Sequence, residues 1–146
     1  RAALEEGILP GGGIALLNAA MALVHNLDEA EGTDEGVGYD IVISACEQPF
    51  YKILTNAGYN NDSIGDIEEK IKETGDEWEG FNPRLESFVN MFSEGIIDPT
   101  KVARLALENA ASVAGTLLIT EAVVSKGKNK KDKAKMGGTD PNMLLG

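Results

Sequence analysis

Three glycines, Gly11, Gly12 and Gly13, stand directly before an apolar run in "EEGILPGGGIALLNAA", residues 5–20. Ordering three adjacent glycines is costly, because each loses more backbone freedom than any other residue. Such a run either punctuates a loop or lets another group approach the main chain. The second use has a chemistry: a helix N-terminus presents free N–H groups and partial positive charge, so it receives phosphate well. The run lacks the Lys-Ser or Lys-Thr of a Walker loop. No strand pattern precedes it, as a dinucleotide fingerprint requires. On the residues alone, loop and binding site both stay open.

Asp98, in "GIIDPTKV", also has two readings. Its carboxylate can cap a helix whose first position is Pro99, or it can accept from a donor such as a ribose hydroxyl. Asn82, in "GFNPR", reads as a turn residue. Trp78, Phe81, Phe88 and Phe92 read as packing residues rather than as a platform for stacked bases. The chain has one cysteine, Cys46, and one histidine, His25. No internal disulfide can form, a reducing compartment is favoured, and two such ligands do not make a zinc site.

The elements that must position these residues are mostly helical. Residues 14–27 place Ile14, Leu17, Met21, Val24 and Leu27 at helical spacing, and "DEAEGTDEG" (28–36) reads as an acidic loop. Residues 37–58 predict one helix interrupted at Pro49, or two abutting helices, with Gly58 as the stop. Residues 62–75 predict a short amphipathic helix. Residues 76–96 read as irregular, then one or two helical turns. The strongest helix spans 98–120, and Ala110, Ala111, Ala114 and Gly115 give it a small-sided stretch suited to close packing. "EAVVS" (121–125) predicts a short strand. "RAALEEG" is helical from its first residue with no capping residue before it, which predicts a segment of a longer protein.

Composition narrows the function. The chain has 146 residues and is 42% hydrophobic, enough for a core. No apolar run is long enough to span a membrane. Six lysines fall within residues 126–135, so residues 1–125 hold 7 basic against 22 acidic side chains, a net charge of −15. That surface argues against nucleic acid as a partner, and the lysine run reads as a solvated tail.

Taken in order, "RAALEEGILPGGGIALL", "GFNPRLESFVNMFSEGIIDPTKVARLALENAASVAG", "TEAVVS" and a tail containing Gly and Met resemble the group I, GroEL-like chaperonins. The resemblance covers residues 1–125 and is strongest at "EEGILPGGG" and "GIIDPTKV". It implies a mainly α fold, the C-terminal half of the multihelical chaperonin equatorial domain with a minor β hairpin or strand. Residues 1–7 would finish the intermediate-domain helix and hinge, 8–125 would belong to the ATP-binding equatorial domain, and 126–146 would form a flexible Lys/Gly-rich tail.

The same resemblance implies a nucleotide site made of Gly12, Asn82, Pro83, Arg84, Ile96 and Asp98. Gly12 would pass its backbone beside the nucleotide. Asp98 would bind ribose, and Asn82 and Ile96 would border adenine. The ligand would be ATP or ADP with magnesium, with room for a potassium ion. The phosphate loop, the metal ligand and the aspartate that orients water would all precede Arg1. No catalytic residue is then expected in this chain, which alone could not hydrolyse ATP. Partners would be identical subunits in a sevenfold ring, with unfolded clients and a co-chaperonin reaching an apical domain outside the chain. A cytoplasmic setting, bacterial or viral within a bacterium, is favoured over an organellar matrix.

The sequence departs from the family pattern at Asn82-Pro83-Arg84, where "Asn-Ala-Ala" is common. It departs again at Tyr51 and Asn60, where a basic and an acidic residue often meet the opposite ring. The tail lacks long Gly-Gly-Met repeats. A competing reading is a stand-alone helical scaffold module without ATPase activity. It accounts for the small-sided helix, the acidic surface and the absent phosphate loop.

Overall fold

The computed structural model describes residues 1–120, and the expected strand at 121–125 and tail at 126–146 lie outside the described residues. The element order is α1 (Ala2–Glu6), β1 (Ile8–Pro10), α2 (Ile14–Glu29), α3 (Asp34–Asn56), α4 (Asn61–Thr74), β2 (Glu79–Asn82), β3 (Ser87–Asn90), β4 (Ile97–Pro99) and α5 (Thr100–Leu118). The fold is mainly helical with two short antiparallel strand pairs, β1–β4 and β2–β3. Two compact units divide the chain, Arg1–Glu108 and Asn109 onward. None of the described helices is long and apolar enough to cross a membrane.

Helices α2 and α3 form an antiparallel pair. The acidic loop expected over 28–36 shrinks to four residues, because Thr33 caps α3: its hydroxyl accepts from Gly36 N at 3.1 Å. Gly36 is required there, since a Cβ would sit 2.4 Å from the Ala30 carbonyl oxygen. The buried stripe on α2 runs Ile14, Leu17 and Ala20, then Leu23 and Leu27 against Ile43 and Cys46 of α3. Val24, expected on that stripe, is 41% exposed. The start of the helix lies against the α3 backbone, where a Cβ on Gly13 would sit 2.6 Å from Phe50 N.

The expected break at Pro49 does not occur, and α3 is continuous. Proline inside a helix costs about 3 kcal/mol. Phe50, directly after the proline, and Leu54, one turn further on, are each 1% exposed, and burying such a side chain gains roughly 1.5–3 kcal/mol. The helix ends as the sequence predicts. Gly58 has φ 100°, its N–H donates to Thr55 O, and Tyr59 N donates to Leu54 O. This is a Schellman stop, and Tyr59 packs on the core beside Leu54.

Helix α4 is capped by Asn60, whose Oδ1 accepts from Ser63 N at 2.8 Å. Its apolar face, Ile64, Ile67 and Ile71, joins Ile14, Leu17, Phe50, Leu54, Phe81 and Met91 in the main core. A polar bridge fixes the same helix to α3. Tyr51 Oη donates to Glu68 Oε2 at 2.6 Å, and Lys72 Nζ lies 2.5 Å from Glu68 and 3.6 Å from Glu47. Burial would raise the Glu68 pKa, but the bonds from Lys72 and Tyr51 outweigh it and hold the carboxyl below its ordinary value. Burial and then the Glu68 charge raise Glu47. The bond to Glu68, followed by burial, pushes Tyr51 up to about 12.

Within residues 76–96, positions 79–90 form a hairpin, and the chain then makes a hydrogen-bonded turn over 91–95 in which Glu94 N donates to Asn90 O. Glu79 faces Asn90, Gly80 faces Val89, Phe81 faces Phe88 and Asn82 faces Ser87. Phe81 packs edge-on against both Tyr59 and Phe88, and Trp78 against Phe92. Asn18 Nδ2 donates to Glu77 O at 2.9 Å and ties the entry of the hairpin to α2. Helix α5 buries no residue; Val102, Leu105, Val113 and Leu117 are exposed. In the second unit its last turns carry Thr116 Oγ1 donating to Ser112 O.

Gly13→Ala, at φ 85° and against the α3 backbone, should lower the unfolding free energy by more than about 1 kcal/mol. Gly38→Ala, mid-helix with nothing within 4 Å, should raise it by roughly 0.5–1 kcal/mol. Urea midpoints compare the two. Tyr51→Phe should cost about 1.5 kcal/mol or more, as expected for a bond to a charged group. The depressed Glu68 carboxylate contributes stability above its unfolded pKa and loses it as pH falls through the folded value. Without Tyr51 that loss should begin at higher pH, as acid titration of the fold would record.

Candidate functional site

The glycine run passes between two other segments. Gly11 N donates to Ile96 O at 2.9 Å, extending the β1–β4 pair in which Ile8, Leu9 and Pro10 face Pro99, Asp98 and Ile97. A short strand therefore does precede the glycines, although it belongs to an antiparallel pair rather than to the parallel βαβ unit of a dinucleotide fold. Gly12 and Gly13 have φ of 67° and 85°, a region that L side chains avoid. A Cβ on Gly12 would lie 2.8 Å from Met91 Cε, and one on Gly11 would lie 3.1 Å from the Ile96 carbonyl. Glycine is thus favoured here by close packing at Gly11 and by the positive φ at Gly12 and Gly13, whatever else they contact.

Beside this crossing is a cavity of about 320 Å³. Five of the six expected site residues, Gly12, Asn82, Pro83, Arg84 and Ile96, line it. They come from three separate parts of the chain: the start of α2, the end of β2 with its turn, and the segment before β4. Asn82 is nearly buried and organises the turn: its Oδ1 accepts from Arg84 N at 3.0 Å, and its carbonyl accepts from Leu85 N at 3.1 Å. Arg84 is exposed, and its guanidinium has no acidic partner among the described residues.

Asp98 is placed differently. It is not on the cavity lining but on exposed β4, two residues beyond Ile96 and opposite Leu9. It does not cap α5, which starts at Thr100, so Pro99 is not the first helical residue. Pairing with β1 holds residues 97–99 extended and delays the helix. The Asp98 carboxylate makes no hydrogen bond or ion pair among the described residues and is left for another donor.

Ion pairs brace the ends of the strand pair. Arg104 donates to both oxygens of Glu6, at 2.6 and 3.0 Å, and to Glu108 at 2.8 Å; Lys101 pairs with Glu5. The bond from Arg104 holds the Glu6 carboxyl below its ordinary value. Gly7, at φ 86°, separates α1 from β1 at this point.

The remaining cavity wall is Ile53, Leu54, Phe81, Met91 and Glu94, none of which sequence reasoning selected. Leu54, Phe81 and Met91 are buried and look like ordinary core. Ile53 carried a usable signal: it is an apolar residue off the buried stripe of its helix, 40% exposed.

Residues 1–128 match the family model described as the TCP-1/cpn60 chaperonin family. The chain belongs to that family. A solved structure titled "Crystal structure of group III chaperonin in the open state" matches with a TM-score of 0.74 and 28% identity, over 84% of this chain. The chain spans 25% of that structure's length. In this chaperonin chain the two departures at Tyr51 and Asn60 have internal uses, since one bonds Glu68 and the other caps α4.

Because the Glu6 carboxyl is depressed, its pairing with Arg104 is complete above the ordinary glutamate range, persists below it, and is lost only as pH falls through the lower folded value. A carboxyl-carbon titration of Glu6 should give a midpoint below 4.5, and Arg104→Gln should return it toward that value.

Proposed function

We propose that this chain supplies one wall of the ATP site and part of the ring contacts of a group I-like chaperonin that assists protein folding in a ring-shaped chamber. The observation that carries the reading is the convergence of Gly12, Asn82, Pro83, Arg84 and Ile96 on one cavity. Family membership and the matching segments "EEGILPGGG" and "GIIDPTKV" support it. The cavity is about the size of a nucleobase with its sugar, and its wall mixes apolar side chains with a few polar groups, as small-molecule sites do.

In this reading Ile53, Phe81 and Ile96 sandwich the base, Gly12 lets the ligand approach the start of α2, and Asp98 accepts from a ribose hydroxyl outside the cavity. The bound nucleotide, as ATP or ADP with magnesium and a potassium ion, supplies the phosphoryl chemistry. Its phosphate, metal and water-orienting ligands come from the rest of a longer chain, since this one spans a quarter of the matched structure. The Glu6–Arg104 brace beside Gly7 couples the site to α1, where movement of an adjoining domain would be felt. Coupling of this kind requires different nucleotide contacts in two domain arrangements. Seven identical subunits, unfolded clients and a co-chaperonin complete the proposed cytoplasmic assembly. The exposed apolar residues of α5 are the surface on which the remainder of the subunit would close.

Native mass spectrometry of the complete protein with ATP and magnesium tests this reading. A ring-sized complex carrying nucleotide is the expected result. Asp98→Ala should then lower nucleotide affinity about tenfold, the size of one lost bond of about 1.4 kcal/mol, without altering assembly. An assembly that binds no nucleotide would return the chain to the scaffold reading.

A further inference from the structure

Helices α3 and α4 are joined by two carboxylates that share one ammonium. Lys72 Nζ lies 2.5 Å from Glu68 and 3.6 Å from Glu47. With all three groups ionised the joint carries a net negative charge. It sits largely away from water: the Glu68 side chain is 8% exposed and that of Glu47 24%. Two carboxylates in one such site resist ionising together, and the one with the poorer set of partners takes up the proton.

The geometry names that carboxylate. Glu68 has the closer contact with Lys72 and also receives the Tyr51 hydroxyl at 2.6 Å. Glu47 has only the longer contact with Lys72. Protonated, Glu47 becomes a donor, and the Glu68 carboxylate is an acceptor within its reach. Burial, followed by the Glu68 charge, raises the Glu47 carboxyl, while Glu68 stays below its ordinary value. On the same helix, Tyr51 and the Cys46 thiol also feel the Glu47 charge. Helix α2 meets the Cys46 side of α3 through Leu16, Ala20 and Leu23, and its acidic residues Asp28 and Glu29 lie at the far end of the antiparallel pair.

We propose that this joint is a proton-operated clamp: in mild acid Glu47 takes a proton from solvent and donates it in a hydrogen bond to Glu68, which keeps Lys72 and Tyr51, and α4 is held more tightly on α3. A carboxyl raised by folding contributes stability that grows as pH falls through its folded value and is complete below its unfolded one. The clamp therefore tightens between neutral pH and the ordinary glutamate range, above the pH at which Glu68 itself is protonated. The helix it holds supports the cavity, since Ile64, Ile67 and Ile71 share one core with Leu54 and Phe81 of the cavity wall.

Hydrogen exchange of the α4 amides, Asn61–Thr74, in the complete protein tests the clamp. It is measured at neutral pH and at about pH 5, just above the ordinary glutamate value, and corrected for intrinsic rates. The ratio of protection at the lower pH to that at neutral pH should be about twofold or more greater in the parent than in Glu47→Gln. The glutamine imitates the protonated carboxyl and does not titrate, so this variant should also be the better protected of the two at neutral pH. Glu68→Gln, which removes the charge that raises Glu47, should lose the parent's pH response as well. A smaller excess in the ratio, a Glu47→Gln protein less protected than the parent at neutral pH, or a pH response retained in Glu68→Gln would each overturn the proposal.

Discussion

The main chain of Gly11–Gly13 lies against two backbones at once, that of Ile96 before β4 and that of Phe50 in α3. The approach to Phe50 leaves no room for a Cβ and that to Ile96 leaves little, and Gly12 and Gly13 also hold φ values that other residues avoid. The position of β4 follows from the bond between Gly11 and Ile96. The cavity lies beside this crossing, with Gly12 and Ile96 both on its lining. A single crowded crossing thus sets the register of helix, strand and candidate site.

Helices were the legible part of the sequence. The spacing of Ile14 and Leu17, the Gly58 stop and the amphipathic pattern of α4 depend on local chemistry, which the residues carry with them. What escaped depends on partners far away in the chain. Strands β1 and β4 have three residues each, and each contains a proline, so neither shows alternation; they exist because they face each other. That pairing overrides the capping signal of Asp98-Pro99. Pro49 predicts a break that burial of Phe50 and Leu54 overcomes. The hairpin at 79–90 was obscured by its four-residue turn and by aromatic residues at both helical and strand spacing.

The candidate site was legible in a different way. No residue type in it announces chemistry: glycine, asparagine, proline and isoleucine are ordinary, and Asn82 alone reads as a turn. Their order along the chain supplied the resemblance, and the fold brings five of the six around one cavity. Asp98 stands apart from that lining, on an exposed strand. The hydrophobic part of the wall could not be separated from the core beforehand, because Leu54, Phe81 and Met91 serve both.

The connection between Glu6 and Arg104 joins residues 98 apart in sequence. Bringing such distant segments together has an entropic cost that must be met before their contacts can compensate. The α2–α3 pair and the hairpin are local, whereas pairing β1 with β4 closes a loop of most of the first unit and carries the larger entropic cost. The cavity lies beside that closure and takes part of its wall from it. A ligand that fills it therefore selects chains in which that closure has formed, and stabilises the closure by mass action.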